Sequence, residues 1–328
     1  MYRSEGLSRC SPVHCPDDGC PVLNTQVNAG LVVVRLSGFG QTGPMAHVAG
    51  HDITYLAASG ALSLFGPAGQ PPAFPANLLG DFGGGAMMAA IGVMLALHAR
   101  EKHRSTVGGV GGGQVVDAAI SEGAAYLTAF AYELRRVGGW GAQRGRNLLD
   151  GGAPNYRCYA CKGGGYMALG ALEPKFWKCF VGLLREELKD EEDAVQALRA
   201  LPSPYDPTRW AACAEELEAV FMRRSRDEWA SRFAGSDACC HPVLSLDEAA
   251  TDGHARARGS HVEGDSTLPA PRPLLSSTPG VRRRHMPDRR VAGAHTADAL
   301  RASGVPERQV QALLHGGAAY QAPGRSKL

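Results

Sequence analysis

Leu31 to Pro44 reads LVVVRLSGFGQTGP. Val32, Val33, Val34 and Leu36 form a short, nearly continuous β-branched run, which suits an extended strand. A strand that is apolar throughout, rather than alternating, belongs in a parallel sheet covered on both faces. The Ser, Gly and Pro residues that follow make a turn at the strand's carboxyl end. Open α/β sheets gather their ligands at that edge. The stretch therefore predicts the α/β class and points to the segment just beyond it as the place to look for chemistry.

That segment, His51 to Leu64, has apolar residues at helical spacing, with Ile53, Leu56, Ala57 and Leu64 on one side. GPAGQPPAFP (66–75) is a loop. Asp81 stands at a helix start, and Ala86 to Arg100 continues that helix into a basic end. A second short strand is expected at 114–117, then a helix to about Val137. Two strands near 156–160 and 165–170 are joined by KGGG, a hairpin signal. Helices follow at about 174–187, 190–201, 208–223 and 225–234. DACCHPVLSLDEAATD (237–252) is strand-like and leads into another helix. GDSTLPAPRPLLSSTPG (264–280) is rich in Pro and Ser and reads as a linker rather than an element. A helix pair at 295–304 and 306–315 closes the chain. Residues 1–30 lack periodicity and read as a leader, and the sequence changes character after the glycine-rich stretch near 144.

The chain has 328 residues, 44% of them hydrophobic and 20% charged, an ordinary globular composition. A net charge of +2, with no basic stripe interleaved with aromatics, speaks against nucleic acid as a partner. The longest apolar run, Gly83 to Leu97, is short for a bilayer and reads as a buried helix, so no membrane span is expected. The first ten residues have no apolar core for a secretory signal. Ser326, Lys327 and Leu328 spell SKL, an address read by the peroxisomal import receptor, and predict a peroxisomal rather than cytosolic or mitochondrial location. Nine cysteines, an odd number, do not suggest a disulfide framework. Cys158, Cys161 and the Cys239-Cys240-His241 run could be combined into a zinc site. Adjacent cysteines fit paired-ligand spacing poorly, so the expectation is no metal and incidental thiols.

His51 and Asp81 hold the chemical interest. Each alone reads as structural: a histidine at a helix start as a capping or surface group, an aspartate before glycines as an N-cap. Their settings add a second reading. Asp81 is flanked by Leu-Leu and Phe-Gly-Gly-Gly, where burial and a helix N-terminus act on a carboxyl in opposite directions. Backbone N–H groups at such a terminus could hold an oxyanion. A histidine titrates near neutrality and is a natural partner base. Two bases of differing environment are what removing a proton from one face of a carbon, and returning one to the other, requires.

Taken in order, AGHDITYLAASG (49–60), NLLGDFGGG (77–85), GQVVDAAISEGAAYL (113–127), RGRNLLDGGAPNY (144–156), ALGALEPKFW (168–177) and SDACCHPVLSLDEA (236–249) carry a family resemblance. Together they resemble the α-methylacyl-CoA racemases of the family III CoA-transferase superfamily, the CaiB/BaiF-like proteins. The likeness extends from about Leu31 to the tail GAHTADALRASG (293–304). It implies a Rossmann-like large domain with a parallel sheet (31–154 with 281–328), a smaller α+β domain (155–263) joined to it by the linker (264–280), and an interlocked homodimer with its site at the domain and subunit junction. It implies that His51 and Asp81 are the catalytic acid/base pair and that Glu173 is a carboxylate supporting the histidine. By itself, Glu173 beside Pro174 reads equally as an acidic first turn. Gly50, His51, Asp52, Ile53, Thr54 and Tyr55 match part of the acyl-CoA contact region. The implied reaction inverts the α-carbon of a 2-methylacyl-CoA thioester through an enolate, in the metabolism of branched-chain fatty acids and bile-acid intermediates. Coenzyme A is then part of the substrate, and no further cofactor is expected.

The superfamily also contains acyl-CoA transferases, in which an aspartate matching Asp81 is a nucleophile. Those enzymes usually lack a histidine where His51 stands, which makes His51 the discriminating residue. Family members open with a strand and helix followed by basic segments that bind the CoA nucleotide. Residues 1–30, with CSPVHCPDDGC (10–20), do not match that opening, and STVGGVGGG (105–113) replaces a short basic turn. The expectation is a family member truncated at its N-terminus, with open sheet edges. A non-catalytic paralogue that pairs with an intact subunit is the alternative.

Overall fold

The computed structural model describes residues 28–107, 112–141, 143–262, 267–280 and 292–322. The leader cysteines and the SKL tail lie outside the described residues. The chain divides into two compact units, with the break between Val243 and Leu244.

The first unit opens with strand β1 (Val32–Ser37), helix α1 (Asp52–Ala58) and a 3-10 turn (Ala61–Leu64). A π-helix (Leu78–Met87), helix α2 (Met88–Val107), strand β2 (Gln114–Ala119) and helices α3 (Ile120–Leu127) and α4 (Ala129–Arg136) follow. β1 and β2 pair in parallel from Val32↔Gln114 to Ser37↔Ala119, the arrangement the valine run predicts. Parallel neighbours need a long crossover, and here it contains α1, the π-helix and α2.

Two expected helices are shorter than their periodicity suggests. The one from His51 stops at Ala58, because Gly60 takes a left-handed conformation (φ 81°) and starts a separate 3-10 turn. The one after β2 is interrupted at Thr128, whose hydroxyl donates to the Ala125 carbonyl at 2.7 Å.

The apolar run 83–97 also behaves differently from its reading as a buried helix. Gly92 rests on β2, where an added Cβ would lie 2.5 Å from Val116 Cγ1. Farther along α2, Arg100 donates to the Gly30 carbonyl at 2.9 Å. Small residues thus face the sheet, with Ala89 and Ala96 buried. The large ones face away: Met87, Ile91, Met94 and Leu95 form an exposed stripe at helical spacing, with Met94 66% exposed. The joined helix Leu78–Arg104 is, by length and composition, long and apolar enough to cross a membrane, which corrects the reading of the run as too short. Its contacts with Val116 and Gly30 are those of a helix covering a sheet.

The rest of the first unit has its own core. Strands β3 (Tyr156–Ala160), β4 (Tyr166–Gly170) and β5 (Cys240–Pro242) form an antiparallel sheet in that order. The β3–β4 turn contains Gly163, Gly164 and Gly165, all at positive φ, as the KGGG signal requires. Helices α5 (Pro174–Glu187), α6 (Glu192–Ala200), α7 (Trp210–Phe221) and α8 (Arg226–Phe233) close over the sheet. Their buried faces supply Phe180, Leu184, Leu198, Leu217, Phe221 and Trp229. Tyr159 stacks on Phe221 with ring centroids 4.8 Å apart, and Trp229 Nε1 donates to the Phe221 carbonyl at 2.9 Å. Burial pushes the Tyr159 phenol well above its ordinary value and the Cys213 thiol up to about 12.

The second unit contains helices α9 (Leu246–Thr251) and α10 (Gly253–Arg258), strands β6 (His261–Val262) and β7 (Leu268–Pro269), and helices α11 (Thr296–Ala302) and α12 (Glu307–His315). Ser245 and Glu248 form a capping box on α9. The Pro-rich stretch 264–280 is not wholly free of elements, because β7 pairs with β6 through His261↔Pro269 and Val262↔Leu268.

Phe221 is fully buried in the aromatic cluster, so Phe221→Ala should cost about 3–5 kcal/mol in urea unfolding. Met94→Glu, on the exposed stripe, should stay within about 0.5 kcal/mol of the parent. Equal costs for the two would contradict this placement of the core.

Candidate active site

The site begins where β1 ends. Ser37 Oγ accepts the Gly40 N–H at 3.1 Å, and the Gly38 carbonyl accepts the Ser121 N–H at 3.0 Å, which ties the turn to the start of α3. The Tyr55 ring packs on both ends of the following loop. A Cβ on Gly38 would lie 2.2 Å from Tyr55 Cε1, and one on Gly50 would lie 2.6 Å from the same atom. Phe39 meets that ring edge-on at 4.9 Å, and the Tyr55 hydroxyl donates to the Gly50 carbonyl at 2.5 Å. Tyr55, expected among the acyl-CoA contacts, thus also acts as a clamp on the chain entering α1.

His51 follows as the N-cap residue of α1, in extended conformation. Its N–H donates to Thr54 Oγ1 at 2.9 Å, and the Thr54 hydroxyl donates to the His51 carbonyl at 2.7 Å. These bonds fix the backbone and leave the imidazole exposed. Ile53 and Thr54 are exposed as well. Asp52 turns inward and is only 3% exposed. Its Oδ1 accepts the backbone N–H of Asp81 at 2.7 Å. The carboxylate lies against Gly80, where a Cβ would sit 2.1 Å from Oδ1.

Asp81 lies in the first turn of the π-helix rather than at its cap. The cap is Asn77, at φ 65°, preceded by Ala76 at φ 45°. Asparagine tolerates the left-handed region and alanine does not favour it, so the reversal is held by its surroundings. Asn77 Nδ2 donates to Asp81 Oδ2 at 2.8 Å. The Phe82 N–H bonds to the Asn77 carbonyl at 3.2 Å. The amides of Asp81 and Phe82 are therefore already paired, and neither is open to an oxyanion.

The glycine run has a packing reason. A Cβ on Gly123 of α3 would fall 1.9 Å from the Gly84 carbonyl oxygen, and one on Gly84 would fall 2.5 Å from the Ala124 nitrogen. The π-helix and α3 touch backbone to backbone, and Leu56, Ala61 and Ala124 form a small core beside them.

Of the three predicted catalytic residues, the structure brings two into one neighbourhood. The residue after His51 is bonded directly to Asp81. Glu173 stands at the N-cap of α5, before Pro174. Among the described residues no hydrogen bond joins its carboxylate to His51. Its charge is felt instead by Tyr205 and Cys239, whose pKa values are raised first by burial and then by Glu173. Asp52 and Asn77, the two groups that hold Asp81, were missed as such in the sequence. The one legible signal was Asn77 four residues before Asp81, a spacing that places side chains on one helix face.

Two other features are separate from this neighbourhood. A groove of about 1030 Å³ is lined by Pro67, Arg146, Asp150, Arg157, Cys158 and Trp210, with none of the predicted site residues among its walls. Cys161 and Cys240 are buried in the core, and desolvation raises both thiols, which disfavours the thiolate a metal would need. Among the described residues no group of three or more His, Cys, Asp or Glu could hold a metal.

Comparison with known proteins adds the following. The family model of CoA-transferase family III matches residues 24–296. A mouse protein named alpha-methylacyl-CoA racemase is 41% identical over 296 residues, 89% of this chain and 72% of that protein. The human protein of the same name is 40% identical over 263 residues, 80% of this chain and 64% of that protein, so the chain spans less than two thirds of its length. A crystal structure of a CAIB/BAIF family protein from Brucella suis superposes with a TM-score of 0.61 at 22% identity, covering 85% of this chain and 69% of that one. At that identity the likeness concerns the fold alone.

The backbone contact at Gly123 should be intolerant of a methyl group. Gly123→Ala should lower thermal stability by about 1–3 kcal/mol, as overpacking does. Gly182→Ala, on α5 with open space around it, should be neutral or stabilising by up to about 1 kcal/mol. Identical melting of the two variants would refute the close approach.

Proposed function

The chain belongs to CoA-transferase family III, and from that premise we propose that it is an isomerase that racemises 2-methylacyl-CoA thioesters at the α-carbon. The observation that carries this reading is the bond between Asp52 and the Asp81 backbone. Through it an imidazole and a carboxylate, remote in sequence, share one neighbourhood in a chain that is 40–41% identical to two proteins bearing the racemase name.

In the proposed reaction the thioester carbonyl acidifies the α-hydrogen. One of His51 or Asp81 takes the proton, a planar enolate forms, and the other group delivers a proton to the opposite face. One proton leaves and one returns, so no net oxidation or hydrolysis occurs. The exposed imidazole and the half-buried carboxylate have the unequal surroundings that two opposed bases need. Asn77 orients one oxygen of Asp81. Gly50 to Tyr55 are assigned to acyl-CoA contact through the exposed His51, Ile53 and Thr54, whereas Asp52 and Tyr55 serve the framework.

The proposal includes a homodimer with the site at the subunit junction. Within its own chain Glu173 lies near Tyr205 and Cys239, so its support of a histidine is assigned to that assembled state. The SKL terminus proposes a peroxisomal location through the import receptor, which suits branched-chain fatty acids and bile-acid intermediates as substrates. Coenzyme A enters as part of the substrate.

The test is exchange of the α-hydrogen of 2-methylacyl-CoA with solvent deuterium. The parent protein should exchange both epimers. His51→Ala should lower exchange from one epimer by roughly 10²–10⁴-fold, the usual contribution of one acid/base group, and from the other much less. Equal, undiminished exchange from both epimers would end the two-base assignment. Transfer of labelled CoA to a free carboxylic acid without α-exchange would favour the transferase chemistry, with Asp81 as nucleophile.

A further inference from the structure

We infer that Asp52 is a positioning residue for Asp81: its buried carboxylate caps the π-helix from outside and sets the direction in which the Asp81 side chain leaves the backbone. The inference rests on the reading of Asp81 as one of two bases, and deepens it.

The first N–H groups of any helix lack acceptors within that helix, and the usual remedy is the side chain of its own N-cap residue. In the π-helix Leu78–Met87 that residue is Asn77, which makes no side-chain cap bond. Its amide is directed to the Asp81 carboxylate instead, at 2.8 Å. The capping task passes to Asp52, 29 positions before Asp81, which accepts the Asp81 N–H at 2.7 Å. Asp81 is thus held at two points by two different groups, the backbone by Asp52 and the carboxylate by Asn77. Fixing both ends removes the rotation that a single tether would allow.

Three further observations fit this role. Asp52 is 3% exposed, so water does not compete for its oxygen. Position 80 is glycine, and a Cβ there would lie 2.1 Å from Asp52 Oδ1 and 2.8 Å from Cγ, so the carboxylate can approach only because the side chain is absent. His51 is held by other means: Thr54 bonds to its N–H and carbonyl, and Tyr55 bonds to the preceding Gly50 carbonyl. None of these bonds uses the Asp52 carboxylate, so truncating it should disturb one base and leave the other in place.

Two readouts test this. Amide hydrogen exchange at the Asp81 N–H needs no turnover. In the parent protein this amide should be protected, in Asp52→Ala it should exchange roughly 10- to 100-fold faster, and in Asp52→Asn, whose amide oxygen can still accept, it should remain near the parent. Asp52→Ser, too short to span the gap, replaces the alanine variant if that one does not fold. In α-deuterium exchange, Asp52→Ala should slow the epimer that is spared by His51→Ala more than the other, with kcat affected beyond KM, and Asp52→Asn should recover most of the loss. An Asp81 amide that is unprotected in the parent or unchanged in Asp52→Ala would overturn the inference, as would equal slowing of both epimers. Absence of α-exchange in the parent protein would count against the racemase reading instead, and the amide measurement would still decide whether Asp52 holds Asp81.

Discussion

Two helices can lie with their main chains in contact only where both lack side chains, and Gly84 against Gly123 meets that condition. An added Cβ at either position would fall within 2.5 Å of the other helix's backbone. The π-helix is thereby seated against α3, which leads directly out of the parallel strand β2. From the same seat Gly80 faces α1, and its missing side chain leaves room for the Asp52 carboxylate. The candidate site therefore depends on a surface from which atoms have been removed. A wider register along this turn also fits its setting, since π-helical turns occur most often where function requires a local departure from the α-helix.

Much of this architecture was legible in the sequence. Val32 to Val34 identified a parallel strand, Gly163 to Gly165 a tight hairpin, and Pro174 the start of a helix, because each is a local preference that tertiary contacts did not oppose. Where the readings failed, either a local breaker was passed over or a non-local contact decided. Periodicity carried the first helix through to Leu64, although Gly60 was present to break it. The run 83–97 was judged by its apolar content, which does not distinguish a helix whose small residues face inward from one that is buried all round. β7 escaped notice because two residues, one of them Pro269, carry no period.

The site shows the same division. His51 and Asp81 were found by residue type and by family resemblance. The groups that position them were not, since Asp52 reads as the acidic first turn of a helix and Asn77 as a loop residue. Only their placement in space reveals that one serves the backbone of Asp81 and the other its carboxylate. Glu173 was assigned from resemblance alone, and within a single chain its charge acts on Tyr205 and Cys239.

The outward stripe that runs from the end of the π-helix along α2 has a thermal corollary. Met87, Ile91, Met94 and Leu95 present aliphatic and thioether surface with no charge among them. The attraction between such surfaces near room temperature is almost wholly entropic, arising from released water. Association through that face would loosen on chilling, and excluded salts such as sulfate would tighten it. Storage in the cold and precipitation by sulfate should therefore act on this protein in opposite directions.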